Sequence, residues 1–467
     1  MTNGLKMPFF YHTQKEEIFS IFCGILHKNT KNCIIMHMIN PLAQELNSIL
    51  EQTVPGKMLS DLGQRLYFPK GIIAQGAEAK KLGKTANATI GMSVFNGKPA
   101  ILPSLQKEFT TLNSTEAVAY APTAGNPDFR QFWKEQIIAK NPSLKEKTFS
   151  LPAVVPGLTA GISYLADLFL TEGDNLLAAN PSWDNYSLII EARRNATLKS
   201  FTLFTKTGFN LEAFEKAVAE EAKNGKIRIL LNFPQNPSGY SPTKTEQKAI
   251  VDILKKYAEN GTLIMVWCDD AYFGLNYEED IASESLFASL CDAHQNIFAV
   301  KIDGPTKEDF AWGMRTGFLT FGGKGFTEEQ YDALNKKLMG VIRSSVSCCS
   351  TPAQSLMLKA AAKAEYEEEK KSFREILAKR YKIVRNFVDT KKEHAVLQAM
   401  PFNSGYFMSF ECKGINAEIL RQKLLNEYGI GTVAIDESHL RVAFSSLEEA
   451  IIEQVYASIY KAAEELA

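Results

Sequence analysis

"IRILLNFPQNPSGYSPTKTEQKAIVDILKKYAENGTLIMVWCDDAYFG", residues 227–274, runs from one apolar stretch through a loop and an amphipathic stretch to a second apolar stretch. "IRILLNF" (227–233) and "TLIMVWCDD" (262–270) are nearly continuous in apolar side chains, as strands covered on both faces are. Between them, 243–260 has helical periodicity and opens on Thr243, a capping hydroxyl, with Gln247 near the capping-box position. A strand, a helix and a strand in this order make a parallel unit. Outward from it, "NLLAAN" (175–180), "IFAVKID" (297–303) and "GFLTFG" (317–322) are further apolar strands. The expected fold is therefore α/β, a mostly parallel central sheet sandwiched by helices.

The last third changes character. "TPAQSLMLKAAAKAEYEEEKKSFREILAKRYKIVRNFVDTKK" (351–392) reads as one long helix, and strands return in "GYFMSFEC" (405–412) and "HLRVAF" (439–444). A smaller α+β domain is expected there. The Glu-Lys run at 367–371 reads as a solvated helix face.

Composition limits the function classes. Apolar residues are 45% and charged residues 22%, and the net charge is -1, so neither nucleic acid nor a charged membrane surface is expected as a partner. Seven cysteines are scattered without a C-x-x-C pair, and none of the six histidines has a zinc-ligand partner at helical spacing. No metal site is expected, and a reduced, cytoplasmic protein is. "IFSIFCGIL" (18–26) is too short to span a bilayer and has no clear cleavage site after it. Residues 1–37 are read as an extension ahead of the fold, which then begins near Met36 or Met38.

In an open α/β sheet, ligands bind beyond the carboxyl ends of the strands. The segments there are "PSWDNY" (181–186), "PQNPSGY" (234–240), "DDAYFG" (269–274) and "GPTKEDFAWGMRTG" (304–317). Gly157 in "VVPGLTAG" opens an apolar helix, whose free N–H groups suit a phosphate, although an ordinary glycine turn would look the same. A phosphate cradle, an aromatic plate, a buried acid, a tyrosine and a lysine are together what pyridoxal 5'-phosphate needs.

From about residue 88 to 445 the order of these motifs resembles the class I aminotransferases of the fold type I pyridoxal-phosphate enzymes, and is most similar to the aspartate and aromatic aminotransferase branch. The resemblance implies an aspartate-aminotransferase-like fold. Its large cofactor-binding domain would span 111–335, and its small domain 336–467 together with 38–110, which includes a substrate-side arm.

The resemblance also implies roles for single residues. The family's lysine has glycine six residues after it and arginine eight after it, which selects Lys307 with Gly313 and Arg315. Lys307 would form the Schiff base and Arg315 would bind the phosphate, leaving Lys301 as the end of a strand. Gly157, Leu158 and Thr159 would form the phosphate cup. Asp269 would hold the pyridine nitrogen, Tyr272 and Asn236 the ring oxygen, and Trp183 would cover the ring, with Asn236 and Trp183 also touching substrate. Arg441 would clamp the α-carboxylate and Gly91 would lie beside the substrate. Arg343 is similar to the arginine that a partner subunit offers to a distal carboxylate, or is a helix-end surface residue. Tyr120 would reach the partner's phosphate, which implies a homodimer with shared sites.

Gly304 departs from the family, which has serine or threonine three residues before the lysine. The implied reaction is transamination between an L-amino acid, dicarboxylic or aromatic, and a 2-oxo acid. Two alternatives are another enzyme on the same site, a C–S lyase or decarboxylase, and a non-catalytic regulator that senses the cofactor. The regulator would need a DNA-binding module, and no basic helix-turn-helix is evident before the fold.

Overall fold

The computed structural model describes residues 39–68 and 71–467, so the expected extension at 1–37 lies outside the described residues. Seven strands form the main sheet: β1 (Ala153–Val155), β2 (Asn175–Asn180), β3 (Thr197–Thr202), β4 (Lys226–Asn232), β5 (Leu263–Asp269), β6 (Ile297–Asp303) and β7 (Gly317–Gly323). Their spatial order is β1-β7-β6-β5-β4-β2-β3. The strands from β2 to β6 pair in parallel, whereas β7 runs antiparallel to both β6 and β1.

Two of these strands leave a weak trace in the sequence, β1 because its apolar run is short and β3 because it is partly polar. β1 is three residues long. β3 is an edge strand whose Lys199 and Ser200 are exposed, and an edge need not be apolar on both faces.

Helices α1 (Pro127–Lys140), α2 (Leu158–Phe169), α3 (Lys244–Glu259) and α4 (Glu328–Ser345) accompany the sheet. Thr243 caps α3 as expected, but Glu246 closes the capping box, its carboxylate accepting from the Thr243 N–H at 2.8 Å. Gln247 is one residue too far along and donates instead to the Glu284 carbonyl and the Ser289 hydroxyl. The third helical position is the one from which a side chain can reach back to the cap.

The stretch 351–392 is two helices rather than one, α5 (Thr351–Ala361) and α6 (Tyr366–Asp389). No proline or glycine marks the break. A tight turn at Lys363, whose N–H donates to the Ala360 carbonyl, redirects the chain so that Tyr366 is buried. Packing therefore overrides uniformly good helix propensity. Leu356, Met357, Ala360, Tyr366 and Leu377 join the core around the main sheet, while Tyr381, Val384 and Val388 join a second core. The change-over between the two cores falls inside α6.

The charge run also differs from a solvated face. Glu368 and Lys371 are exposed, but Lys370 is only 1% exposed and its Nζ lies 2.6 Å from Asp309.

The second core lies under an antiparallel sheet, β8 (Leu397–Ala399), β9 (Phe407–Cys412), β10 (Val433–Ala434) and β11 (His439–Ala443), in the order β8-β9-β11-β10. Helix α7 (Ile452–Glu464), Ala86 and Ala88 pack against it. Leu440 and Val442 of β11 face this core, each side chain contributing about 1.5–3 kcal/mol of burial. Period-two alternation turns the intervening Arg441 to the other face, toward the main sheet. Its partner across the ladder, Ser409, looks the same way and donates to the Pro237 carbonyl at 2.9 Å.

Candidate active site

β5 ends in Asp269, which is 3% exposed. Its Oδ2 accepts a 2.5 Å bond from the Tyr186 hydroxyl, and its Oδ1 accepts from the Ala271 N–H at 3.2 Å. Burial pushes its carboxyl above the ordinary aspartate range, while Tyr186, the charge of Lys307 and the Ala271 N–H pull it back. A buried carboxylate held this way suits a cationic ring nitrogen.

Lys307 sits in a short helical turn, Pro305–Glu308, beyond β6. Its Nζ lies 4.9 Å from the centre of the Tyr272 ring. Burial lowers the amine to about 8, Arg315 adding to the effect and Asp269 opposing it. The Lys307 carbonyl accepts a 3.0 Å bond from the Tyr406 hydroxyl, which fixes the turn from the side of the second sheet.

Arg315 and the start of α2 make a cradle. Gly157 has φ of 92°, and a Cβ there would stand 2.5 Å from an Arg315 guanidinium nitrogen, so glycine alone lets the arginine lie across the helix N-terminus. Leu158 and Thr159 lie in the first turn of α2, where N–H groups have no partner within the helix.

Gly304 is confined from the other side. A Cβ on it would meet the Gly317 Cα at 2.8 Å and the Thr316 carbonyl at 2.9 Å, so no hydroxyl side chain fits at this strand end. The Thr306 hydroxyl donates to the Thr316 carbonyl at 3.2 Å and is spent within the loop. The N-terminus of α2 at Gly157–Thr159 and the Arg315 guanidinium are the groups that could hold an anion there.

On the substrate side, Arg441 is 2% exposed and donates to the Asn236 Oδ1 and the Thr89 carbonyl, both at 2.9 Å. Its guanidinium lies over the Phe407 ring, and burial lowers it to about 10. The Arg441 Nε has no hydrogen-bond partner among the described residues. The Asn236 side-chain oxygen thus serves Arg441. A Cβ on Gly91 would stand 3.3 Å from the Phe407 ring and 3.7 Å from the Tyr272 hydroxyl. The turn at 236–239 needs its last residue to be glycine: a Gly239 Cβ would fall 1.9 Å from the Phe407 carbonyl oxygen.

Most of the expected residues thus converge: Lys307, Asp269, Tyr272, Asn236, Arg315, Arg441, Gly91 and the 157–159 cup. Trp183 joins them through an edge contact with Tyr186, ring centres 5.4 Å apart. Tyr120 is 93% exposed, and Arg343 is exposed on the last turn of α4 and bonded to Ser347. Tyr186 and Tyr406 were not singled out from the sequence. Tyr186 closes the same "PSWDNY" stretch as Trp183, three residues on, and that spacing is its only signal.

Lys301 is buried inside β6 with a structural task. Its Nζ pairs with Asp270 and lies 3.5 Å from Asp303 and 4.4 Å from the centre of the Phe273 ring. Burial works against its charge, but Asp270 and Asp303 hold it protonated. Ser285 donates to Asp270 at 2.6 Å, and the Trp133 indole donates to Asp303 at 2.9 Å.

The residues present fit a phosphorylated pyridine aldehyde: a glycine cradle crossed by arginine, a buried carboxylate, and a lysine amine of lowered pKa between them. No group of histidines, cysteines and acids suited to a metal occurs among the described residues.

The family model for aminotransferase class I and II matches residues 91–459. Curated relatives include the mitochondrial aspartate aminotransferase of Dictyostelium discoideum, 28% identical over 43% of this chain and 46% of the relative. The cytoplasmic aspartate aminotransferase of Caenorhabditis elegans is 26% identical over 36% of this chain and 43% of its own length. The tyrosine aminotransferase of Dictyostelium discoideum is 23% identical over 44% of this chain and 46% of the relative. The chain thus spans about half the length of these relatives. Among solved structures, an aminotransferase from Anaerococcus prevotii superposes with a TM-score of 0.75 at 23% identity, covering 85% of this chain and 97% of that one. An aspartate aminotransferase variant from Thermus thermophilus gives 0.66 at 18% identity, covering 86% and 99%. At such identities the likeness shows the fold.

Proposed function

The chain belongs to the class I and II aminotransferases, and from that premise we propose that it moves an amino group between an L-amino acid and a 2-oxo acid, with pyridoxal 5'-phosphate held on Lys307. One observation carries the reading: a buried lysine amine and a buried carboxylate, Lys307 and Asp269, interact electrostatically beside a glycine cradle crossed by Arg315.

When bound, the cofactor supplies an electron-withdrawing ring that acidifies the α-carbon of the amino acid. Asp269 holds the proton on the ring nitrogen, and Tyr186 holds Asp269. The Lys307 amine removes the α-proton, a step that its pKa of about 8 suits near neutral pH. Tyr272 and Asn236 would hold the ring oxygen, and Trp183 would cover the ring. Arg441 takes the α-carboxylate, and its hydrogen bond to Asn236 sets the orientation of that clamp. Gly91 leaves room for the substrate beside Phe407.

The favoured donors are dicarboxylic and aromatic amino acids, in line with relatives named aspartate and tyrosine aminotransferases. Tyr120 and Arg343 belong to the reading as residues offered to a second copy in a homodimer. Their exposure supports it. A cytoplasmic location is part of the same proposal. No helix among the described residues is long and apolar enough to cross a membrane.

The test is to add amino donors to the cofactor-loaded protein and follow the visible absorbance. Conversion to the amine form of the cofactor, reversed by 2-oxoglutarate, is expected. A C–S lyase or decarboxylase on this site would release its product without that reversible conversion. No spectral change with any common amino acid would sink transamination.

A further inference from the structure

The turn that carries Lys307 is followed at once by two acids, Glu308 and Asp309, which are 5% and 1% exposed. Each meets a cation from another element. Glu308 lies 2.8 Å from Lys140 of α1 and 3.9 Å from Arg374 of α6. Asp309 lies 2.6 Å from Lys370 of α6, and both of those side chains are 1% exposed. Tyr366, one turn before Lys370, is buried, and burial first and then the charge of Asp309 push its phenol up. Glu367 reaches Lys370 at 3.4 Å from the solvent side. Burial would raise Glu308, but Lys140, Lys370 and Arg374 hold it well below the usual carboxylate range.

The next residue, Phe310, has φ of 54°, a left-handed conformation that an aromatic residue keeps only when its surroundings dictate it. Its ring is wedged against Phe373, 5.0 Å away, and Phe95, 6.5 Å away. Tyr366, Lys370, Phe373 and Arg374 recur at helical spacing, so one face of α6 is devoted to this loop.

We propose that Lys370, through Asp309, is a positioning residue that sets the turn from which Lys307 is presented to the cofactor. The inference rests on the aminotransferase reading of the site. It gives the second acid after the catalytic lysine a reason to be buried. It also places the governing contact 63 residues downstream of Lys307, counted from residue numbers 307 and 370.

The experiment compares wild type with Lys370→Met, Lys370→Arg and the double variant Asp309→Asn/Lys370→Met, in the cofactor-loaded full chain. For each we would measure the rate of the first half-reaction at saturating donor, the pH midpoint of the visible absorbance, and affinity for pyridoxamine phosphate, which needs no bond to Lys307. Lys370→Met is expected to slow the half-reaction about tenfold or more and to move the absorbance midpoint by about half a pH unit or more. Affinity for pyridoxamine phosphate should stay within about threefold, and Lys370→Arg should restore rate and midpoint. The double variant removes both charges together and so avoids an unpaired buried carboxylate. It should fold, and should show the same slow half-reaction if Lys370→Met is insoluble.

A folded variant that melts lower but keeps the wild-type rate and midpoint would overturn the proposal, since that is all a merely structural pair would do. A wild-type protein without lysine-bound absorbance would instead defeat the aminotransferase reading itself.

Discussion

The Tyr186 hydroxyl donates to the Asp269 carboxylate at 2.5 Å, at the buried end of β5. A hydrogen bond to a charged acceptor is worth about 1.5–3 kcal/mol. Tyr186→Phe should therefore weaken cofactor binding by about ten- to a hundredfold. Losing a bond that lowers the acid should move Asp269 further up. Cofactor titrations by absorbance across a pH series check both, and unchanged affinity would mean that Tyr186 only fills space.

Borohydride reduction of the loaded protein should fix the cofactor on Lys307, located by peptide mass. Lys307→Ala should abolish the adduct while leaving the fold intact, because a desolvated amine contributes little to stability. An adduct on Lys301 would overturn the register chosen from Gly313 and Arg315.

Lys301→Met should have the opposite profile. It leaves Asp270 and Asp303 buried with their cation gone, and breaking such an arrangement costs about 3–5 kcal/mol. Denaturant unfolding of the apo protein should register the loss, whereas any folded fraction should still take cofactor on Lys307.

The pH dependence of loading follows from burial. Burial disfavours the lysine cation, so the Lys307 amine becomes neutral at about 8 instead of 10.5. Only the neutral amine attacks an aldehyde, so the rate of cofactor capture should rise with pH and level off above about 8. Stopped-flow mixing of apo protein with cofactor measures it. A midpoint near 10 would show that the amine is solvated.

Arg441→Lys should not rescue what Arg441→Ala loses. The guanidinium stacks over Phe407 and binds Asn236 and Thr89 at once, and an ammonium cannot reproduce that planar fork. Both variants should lower kcat/KM for amino acids by about tenfold to a hundredfold with the absorbance of the loaded protein unchanged. Recovery in the lysine variant would imply that charge alone suffices there.

Central strands and the residues that cluster beyond their ends are legible in the sequence because both leave local traces: apolar runs, and short motifs at fixed spacing. Sequence reading missed β3, whose edge position permits polar residues, and the break between α5 and α6, where no glycine or proline signals the turn. Lys370 hid in a run of glutamates and lysines that is indistinguishable by composition from a wet helix face. What buries it is Asp309, remote in sequence, and no local pattern records that contact. Spacing favours Lys307 over Lys301 as the covalent anchor, whereas the pairing of Lys301 with Asp270 and Asp303 depends on strand register. Tyr120 and Arg343 are exposed side chains whose reading rests on motif order alone.

Gly304 has a consequence for anyone who would redesign this protein toward its relatives. Restoring serine at that position looks like a conservative repair, yet the new Cβ would press on the Gly317 Cα and the Thr316 carbonyl where β6 and β7 close on each other. The hydroxyl could be gained only by prising two central strands apart. Family consensus is thus a poor guide at this one site, and an added phosphate donor would have to be engineered from the α2 side of the cradle.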